Sequence, residues 1–278
     1  KILMNSVYGV FASYFYRFTN LNIGASITAY AREYVKDILE ELENEEIDVI
    51  YGDTDSVFFR SPYADLDKTI DFGESIAKRY SVGAKQLEFE KILQPFFSHG
   101  VKKRYVGKQI WPKESMLIRG YETRRTDSFS IQIEALEDVF SKLMNRDIDN
   151  ALESSKKWVT RVSEGDFDDK NFVISKTVNL KRKYVNEDNQ AHLQAYKKYI
   201  ETGRPFVSGM KISFIVTDAS VSPMKVEPYI PDESCPKPDY NYYADRIAKS
   251  LSRITDVFDW DEKALKKGKR APKQQTLF

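Results

Sequence analysis

Residues 46–62 read "EIDVIYGDTDSVFFRSP". Two short runs of β-branched and aromatic residues, Val49 to Tyr51 and Val57 to Phe59, flank a Gly and Asp turn, the pattern of a β-hairpin. Asp53 and Asp55 in that turn are separated by one residue. Side chains two apart on extended backbone share a face with their roots roughly 6.5 Å apart, and two carboxylates so placed repel unless a cation lies between them. Magnesium suits the position, because it binds through one or two carboxylates and completes its shell with water and substrate phosphates. A solvated Asp-rich turn is the plain alternative for "DTD" alone; Tyr51, Gly52 and Ser56 around it narrow the choice.

Upstream, "NIGASITAYAREYVKDILEELE" sets Ile23, Ile27, Tyr30, Tyr34, Ile38 and Leu42 at helical spacing and ends in acidic residues, which predicts an amphipathic helix. The opening "KILMNSVYGV" predicts another. On it Lys1, Asn5 and Tyr8 fall within roughly 60° of one another, while Leu3, Val7 and Val10 point the other way. A cation, an amide and a phenol in one stripe face either a polar ligand or water. Downstream, the spacing predicts a helix over 66–80, a strand in "QLEFEKIL" and more sheet in "KKRYVGKQI" and "SMLIRGYETRR". From about Ser128 helices take over, around 131–144, 148–162, "QAHLQAYKKYI" and "DYNYYADRIAKSLSRI", with a strand at "KISFIV". The end, "DEKALKKGKRAPKQQTLF", reads as a basic flexible tail.

Over 278 residues, 43 basic and 42 acidic side chains nearly cancel, so any case for nucleic acid rests on where the charges sit. They are segregated. Glu40, Glu41, Glu43, Glu45 and Glu46 crowd one stretch, whereas Lys102 to Arg125 is strongly basic and would attract a polyanion. The single Cys235 excludes a disulfide within the chain, and with only His99 and His192 no Cys/His zinc cluster can be built. No apolar run approaches the roughly 20 residues needed to span a bilayer. A reducing, intracellular setting is expected.

The quoted stretches resemble those of B-family DNA polymerases. "KILMNSVYG" is similar to the family's K-x-x-x-N-S-x-Y-G, "YGDTDS" to its active-site hairpin, "KKRYVGK" to its K-K-R-Y segment and "RGYETRRTD" to its G-x-E-x-x-R-x-D stretch. "AHLQAYKK" is similar to a thumb P-H-x-x-x-A-K-K pattern and "DYNYYADRI" to a C-terminal D-Y-x-Y-Y segment, all in family order. The chain departs from these patterns at Thr126, where many members carry a second arginine, and at Ala191, where proline is usual. The resemblance implies an α+β fold: an antiparallel palm sheet with packed helices, then a mainly helical thumb. The expected divisions are 1–14 as the end of a fingers helix, 15–127 as palm, 128–260 as thumb and 261–278 as tail.

It also implies roles. Asp55 would be the main ligand, and Asp53 a second, for two Mg2+ ions that activate the primer 3′ hydroxyl and stabilise the leaving pyrophosphate. Lys1 would contact the dNTP triphosphate, with Asn5 and Tyr8 bordering the nascent base pair. Lys102, Lys103, Arg104, Tyr105 and Arg125 would hold primer-template DNA. The family's upstream D-x-x-S-L-Y-P motif, with a further catalytic aspartate, does not occur here, nor does the proofreading exonuclease. Catalysis is therefore expected only beside a larger polymerase chain that carries both; this chain is either the small subunit of a natural split, of the kind found in some archaea, or a fragment of an intact gene. "KQQTLF" resembles the start of the peptide that binds a ring-shaped sliding clamp, with Gln274, Leu277 and Phe278 as anchors. A non-catalytic DNA-binding or clamp-tethering subunit is the alternative function, and a sugar-nucleotide transferase with an Asp-x-Asp metal site a more distant one. His192 is expected to be structural, and Asp166, Asp168 and Asp169 to lie in a solvated loop.

Overall fold

The computed structural model describes residues 2–53, 56–83, 86–121 and 127–267, and the side chains of residues 2–5 and of Asp53 are outside that description. The α+β class expected from the sequence is found, with eight helices, a two-stranded sheet and two three-stranded sheets among the described residues. Contacts divide the chain into two compact units, 1–92 with 110–113, and 93–109 with 114–278.

The first unit starts with α1 (Ile2–Ala12) and α2 (Leu21–Asn44). Asn20 starts α2 by accepting hydrogen bonds from the backbone N–H groups of Asn22 (3.1 Å) and Ile23 (3.2 Å), which satisfies donors that no helical carbonyl can reach. The hairpin β1 (Val49–Asp53) and β2 (Ser56–Phe59) follows, then α3 (Leu66–Arg79), capped by Asp65 onto the Lys68 N–H at 2.9 Å. Ile38 and Leu42 of α2 and Ile76 of α3 are buried with Tyr80, and Val49, Val57, Phe59, Phe72 and Leu87 pack around them. This core is small. The α1 end of the unit is open to water: Tyr14 is 81% and Phe15 96% exposed, and Tyr16 and Phe18 are also exposed.

On α1 both Val7 and Tyr8 are exposed, at 41% and 39%, and Val10 is half-buried. One expectation is corrected here. Residues 86–90 of "QLEFEKIL" form no strand; β3 is Ile92–Phe97. The alternation there serves a different purpose. Leu87 joins the small core, its N–H bonds the Ser81 hydroxyl at 3.0 Å, and Phe89 stacks on Trp111 with ring centroids 4.8 Å apart.

β3 is an edge of the sheet β3-β4-β5, with β4 at Tyr105–Trp111 and β5 at Ser115–Arg119. An edge position tolerates the missing N–H of Pro95. The rest of the second unit packs α4 (Ser130–Met144), α5 (Ile148–Ser163), α6 (Ala191–Glu201), α7 (Tyr240–Thr255) and α8 (Glu262–Lys267) with the sheet β6-β7-β8. Its strands are β6 (Ile174–Thr177), β7 (Lys211–Asp218) and β8 (Lys225–Pro228). A large core runs through Phe129, Phe140, Phe172, Ile215, Tyr243, Ile247 and Leu251. Asp138 on α4 ties that helix to α5 by accepting from Trp158 Nε1 at 2.9 Å and from the Ser154 hydroxyl, beside its ion pair with Lys142.

Candidate functional site

The hairpin ladder pairs Tyr51 with Phe58, Gly52 with Val57 and Asp53 with Ser56. A bulge between Val49 and Tyr51 shifts the register. Its consequence follows from alternation. Val49, Val57 and Phe59 pack on the α2/α3 core, while Tyr51 and Phe58 meet edge to face at 5.5 Å on the opposite face. Without the bulge, Tyr51 would share the core face with Val49. The ladder thus carries its order to Asp53↔Ser56 at the end of the strands. Thr54 and Asp55 lie outside the described residues, as does the Asp53 side chain. Gly52 sits under Leu39, whose methyl carbons would lie 3.8–3.9 Å from an added Cβ, an ordinary contact, so the fold itself does not demand glycine there.

Of the other expected site residues, Tyr8 is exposed on α1, while Lys1 and the side chain of Asn5 lie outside the described residues. Lys102 and Lys103 are exposed and Arg104 and Tyr105 half-buried, with the Tyr105 ring 5.6 Å from that of Phe96. All four sit in or directly after a turn that delivers the chain into β4. Arg125 is outside the described residues, and so are Gln274, Leu277 and Phe278. Just past that gap, the carbonyl of Asp127 accepts a hydrogen bond from Arg246 at 3.0 Å. Among the described residues no group of three or more His, Cys, Asp or Glu comes together to hold a metal ion, and no helix is long and apolar enough to cross a membrane.

Some sequence signals resolve into structure. Asp166 pairs with Arg161 at 2.7 Å, Asp168 caps a 3-10 turn at Lys170, and Asp169 accepts from the Tyr240 hydroxyl at 2.7 Å. The three do not come together as a metal-holding group. His192 is 3% exposed on α6, with its ring edge-on to Tyr184. Burial, aided by the nearby cations Lys176 and Arg182, pushes its pKa down to about 4. A neutral buried imidazole makes stability depend on pH in a defined direction. Its contribution is complete above the unfolded-state pKa near 6.5 and is lost as pH falls toward about 4, with roughly one extra proton taken up on unfolding in that window. Urea midpoints measured between pH 7 and 4 are expected to fall less steeply in His192→Gln than in the wild-type chain; identical slopes would show that His192 titrates normally.

The D-Y-x-Y-Y segment is the motif whose work the sequence leaves blank. Asp239 caps α7 on Tyr242 N–H at 3.1 Å and takes the Ala219 N–H at 2.9 Å. Tyr243 is fully buried, and its hydroxyl accepts from the Val216 N–H at 2.9 Å, while the Asp239 N–H donates to the Val216 carbonyl at 2.9 Å. β6 pairs with β7 only as far as Phe214. Beyond that point the motif itself completes the edge of β7.

Against known proteins, the model of "DNA polymerase family B" matches residues 1–258. The chain belongs to that family. Among family B relatives, the DNA polymerase delta catalytic subunit of Candida albicans is 28% identical over 91% of this chain. The DNA polymerase of Paramecium bursaria Chlorella virus NY2A is 33% identical over 77% of it, and DNA polymerase 2 of Aeropyrum pernix 27% over all of it. The chain spans 26%, 25% and 33% of those proteins, respectively. The solved family B DNA polymerase of Pyrobaculum calidifontis superposes with a TM-score of 0.61 at 22% identity, over 92% of this chain and 33% of that one, which shows a shared fold. The family B segment matched here includes the hairpin, the basic turn and the D-Y-x-Y-Y clasp.

Proposed function

We propose that the chain is the palm and thumb part of a DNA polymerase that transfers nucleotides from dNTPs to a primer 3′ hydroxyl on a DNA template. The observation that carries this reading is the family match over residues 1–258, with "YGDTDS" on a β-hairpin whose ladder runs to Asp53. In it residues 1–14 end the fingers helix, 15–127 are palm, 128–260 thumb and 261–278 a tail. An all-oxygen pair, Asp53 and Asp55, is a donor set suited to Mg2+, two ions in the assembled site. Bound there, the metal supplies Lewis-acid stabilisation of phosphoryl oxygens and lowers the pKa of the attacking hydroxyl. Lys1 binds the triphosphate, Asn5 and Tyr8 border the new base pair, and Lys102, Lys103, Arg104, Tyr105 and Arg125 hold the duplex by its backbone.

The upstream aspartate comes from a larger polypeptide that also carries the exonuclease, and the aromatic surface around Tyr14, Phe15 and Phe18 supports such a partner, being large, apolar and exposed. Gln274, Leu277 and Phe278 tether the assembly to a sliding clamp, and the DNA substrate places it at the nucleoid. Primer extension tests the reading. The chain alone with primer-template, dNTPs and Mg2+ is expected to give no product, and the chain mixed with the upstream polypeptide to extend the primer. Extension by the single chain would remove the need for a partner. No extension by the mixture, with DNA binding retained, would leave the non-catalytic DNA-binding or clamp-tethering subunit.

A further inference from the structure

The basic segment begins with a tight turn. Arg104 N–H donates to the Val101 carbonyl at 3.2 Å, and Lys103, third of the four residues, has φ +65°. That position of a turn with positive φ favours glycine or asparagine, and a lysine there is held against its own preference. What holds it lies across the ladder. β4 and β5 pair Tyr105 with Arg119, so the next step sets Arg104 opposite Gly120. Gly120 also has positive φ, +74°, and a Cβ added to it would sit inside the Lys103 carbonyl oxygen and 2.8 Å from Arg104 Cγ. The contact on the Lys103 side is with backbone, which cannot swing away as a side-chain tip can. Only a residue without a side chain lets the Lys103–Arg104 peptide seat on β5.

We infer that Gly120 is a positioning residue for DNA binding: by seating the Lys103–Arg104 peptide it fixes Lys103 in its left-handed conformation and so aims the Lys102–Lys103 pair at the phosphate backbone. This rests on the DNA-binding reading proposed above. A relaxed turn would rotate the peptide and move the lysine stems, while leaving the charges and the core in place. Strain retained at an exposed turn tip, where a glycine would be cheaper, indicates that the ammonium is needed at that point.

The test titrates the 278-residue chain with a fluorescent primer-template duplex at several salt concentrations, following anisotropy. Gly120→Ala and Lys103→Ala are each expected to weaken binding roughly tenfold and to reduce the salt slope by about 1. The double variant is expected to be no worse than either single one, because Gly120 acts through Lys103. Lys103→Gly is expected to raise the melting temperature by about 2 °C, through relief of the positive φ, while binding no better than Lys103→Ala. Wild-type affinity and slope in Gly120→Ala, or additive losses in the double variant, would overturn the inference. Should Gly120→Ala fail to fold, Lys103→Gly decides: a melting temperature at or below wild type would mean that Lys103 is not held under strain, and the inference falls. If Lys103→Ala binds as wild type, the DNA-binding reading of the turn fails and takes the inference with it; a loss in Lys103→Ala beside a silent Gly120→Ala sinks the inference alone.

Discussion

Asp55→Asn, in the chain combined with the proposed upstream polypeptide, is expected to slow primer extension by on the order of 10³-fold, about 4 kcal/mol of transition-state stabilisation, with little change in the Kd for primer-template DNA. Asparagine keeps the shape of the side chain and removes its charge, so on the proposed reading the substitution would take away a carboxylate donor to a divalent cation and spare the packing of the hairpin. The packing resides elsewhere. Val57 and Phe59 hold the hairpin on the α2/α3 core, and the Tyr51–Phe58 ring pair covers the other face. The lysines of the basic turn, which would carry DNA affinity, precede β4 of a different sheet. Single-turnover extension and anisotropy on the same preparation separate the two effects. A parallel loss of DNA affinity would mean that the substitution disturbs the fold, and an unchanged rate would mean that Asp55 is no metal ligand.

How much of this the sequence discloses depends on the length of each signal. The hairpin is legible because two apolar runs flank a Gly/Asp turn, and α2 because its apolar residues keep helical spacing from Ile23 to Leu42. β6 and β8 are not, since "ISKT" and "KVEP" offer four residues each, too few to display a period. "QLEFEKIL" shows the converse failure: alternation is real, yet Leu87 and Phe89 spend it on side-chain packing without a ladder. For the site, the residue types can be read from motifs, but the strain at Lys103 and its glycine partner cannot. Lys103 and Gly120 are distant in the chain and meet only through the β4–β5 register. The D-Y-x-Y-Y segment is recognisable by resemblance alone. Its work, closing the edge of β7, requires knowing that the pairing of β6 with β7 ends at Ile174↔Phe214.

That work leads to the largest expected loss of stability. The Tyr243 ring is fully buried, 4.9 Å from Phe129 and 5.0 Å from Phe172 by centroid, and its hydroxyl, kept protonated by burial that raises its pKa, is the partner of the Val216 N–H. Tyr243→Ala removes the ring and the acceptor together. A cavity the size of a phenol in a close-packed core is worth about 3–5 kcal/mol, and an orphaned buried N–H adds about 1–3 kcal/mol, enough to unfold the second unit of a protein of ordinary stability. Tyr243→Phe separates the two contributions, because it keeps the ring and loses only the hydroxyl; about 1–3 kcal/mol is expected. Asp239→Ala attacks the same edge from the other end, removing the helix cap and the Ala219 acceptor while leaving the backbone bond to Val216. Urea unfolding read by tyrosine and tryptophan fluorescence is expected to place Tyr243→Ala lowest, then Tyr243→Phe, then wild type, with the midpoint moving and the slope constant. A Tyr243→Phe midpoint equal to wild type would show that the hydroxyl contributes nothing to the β7 edge, and the motif would then have to be explained by its rings alone.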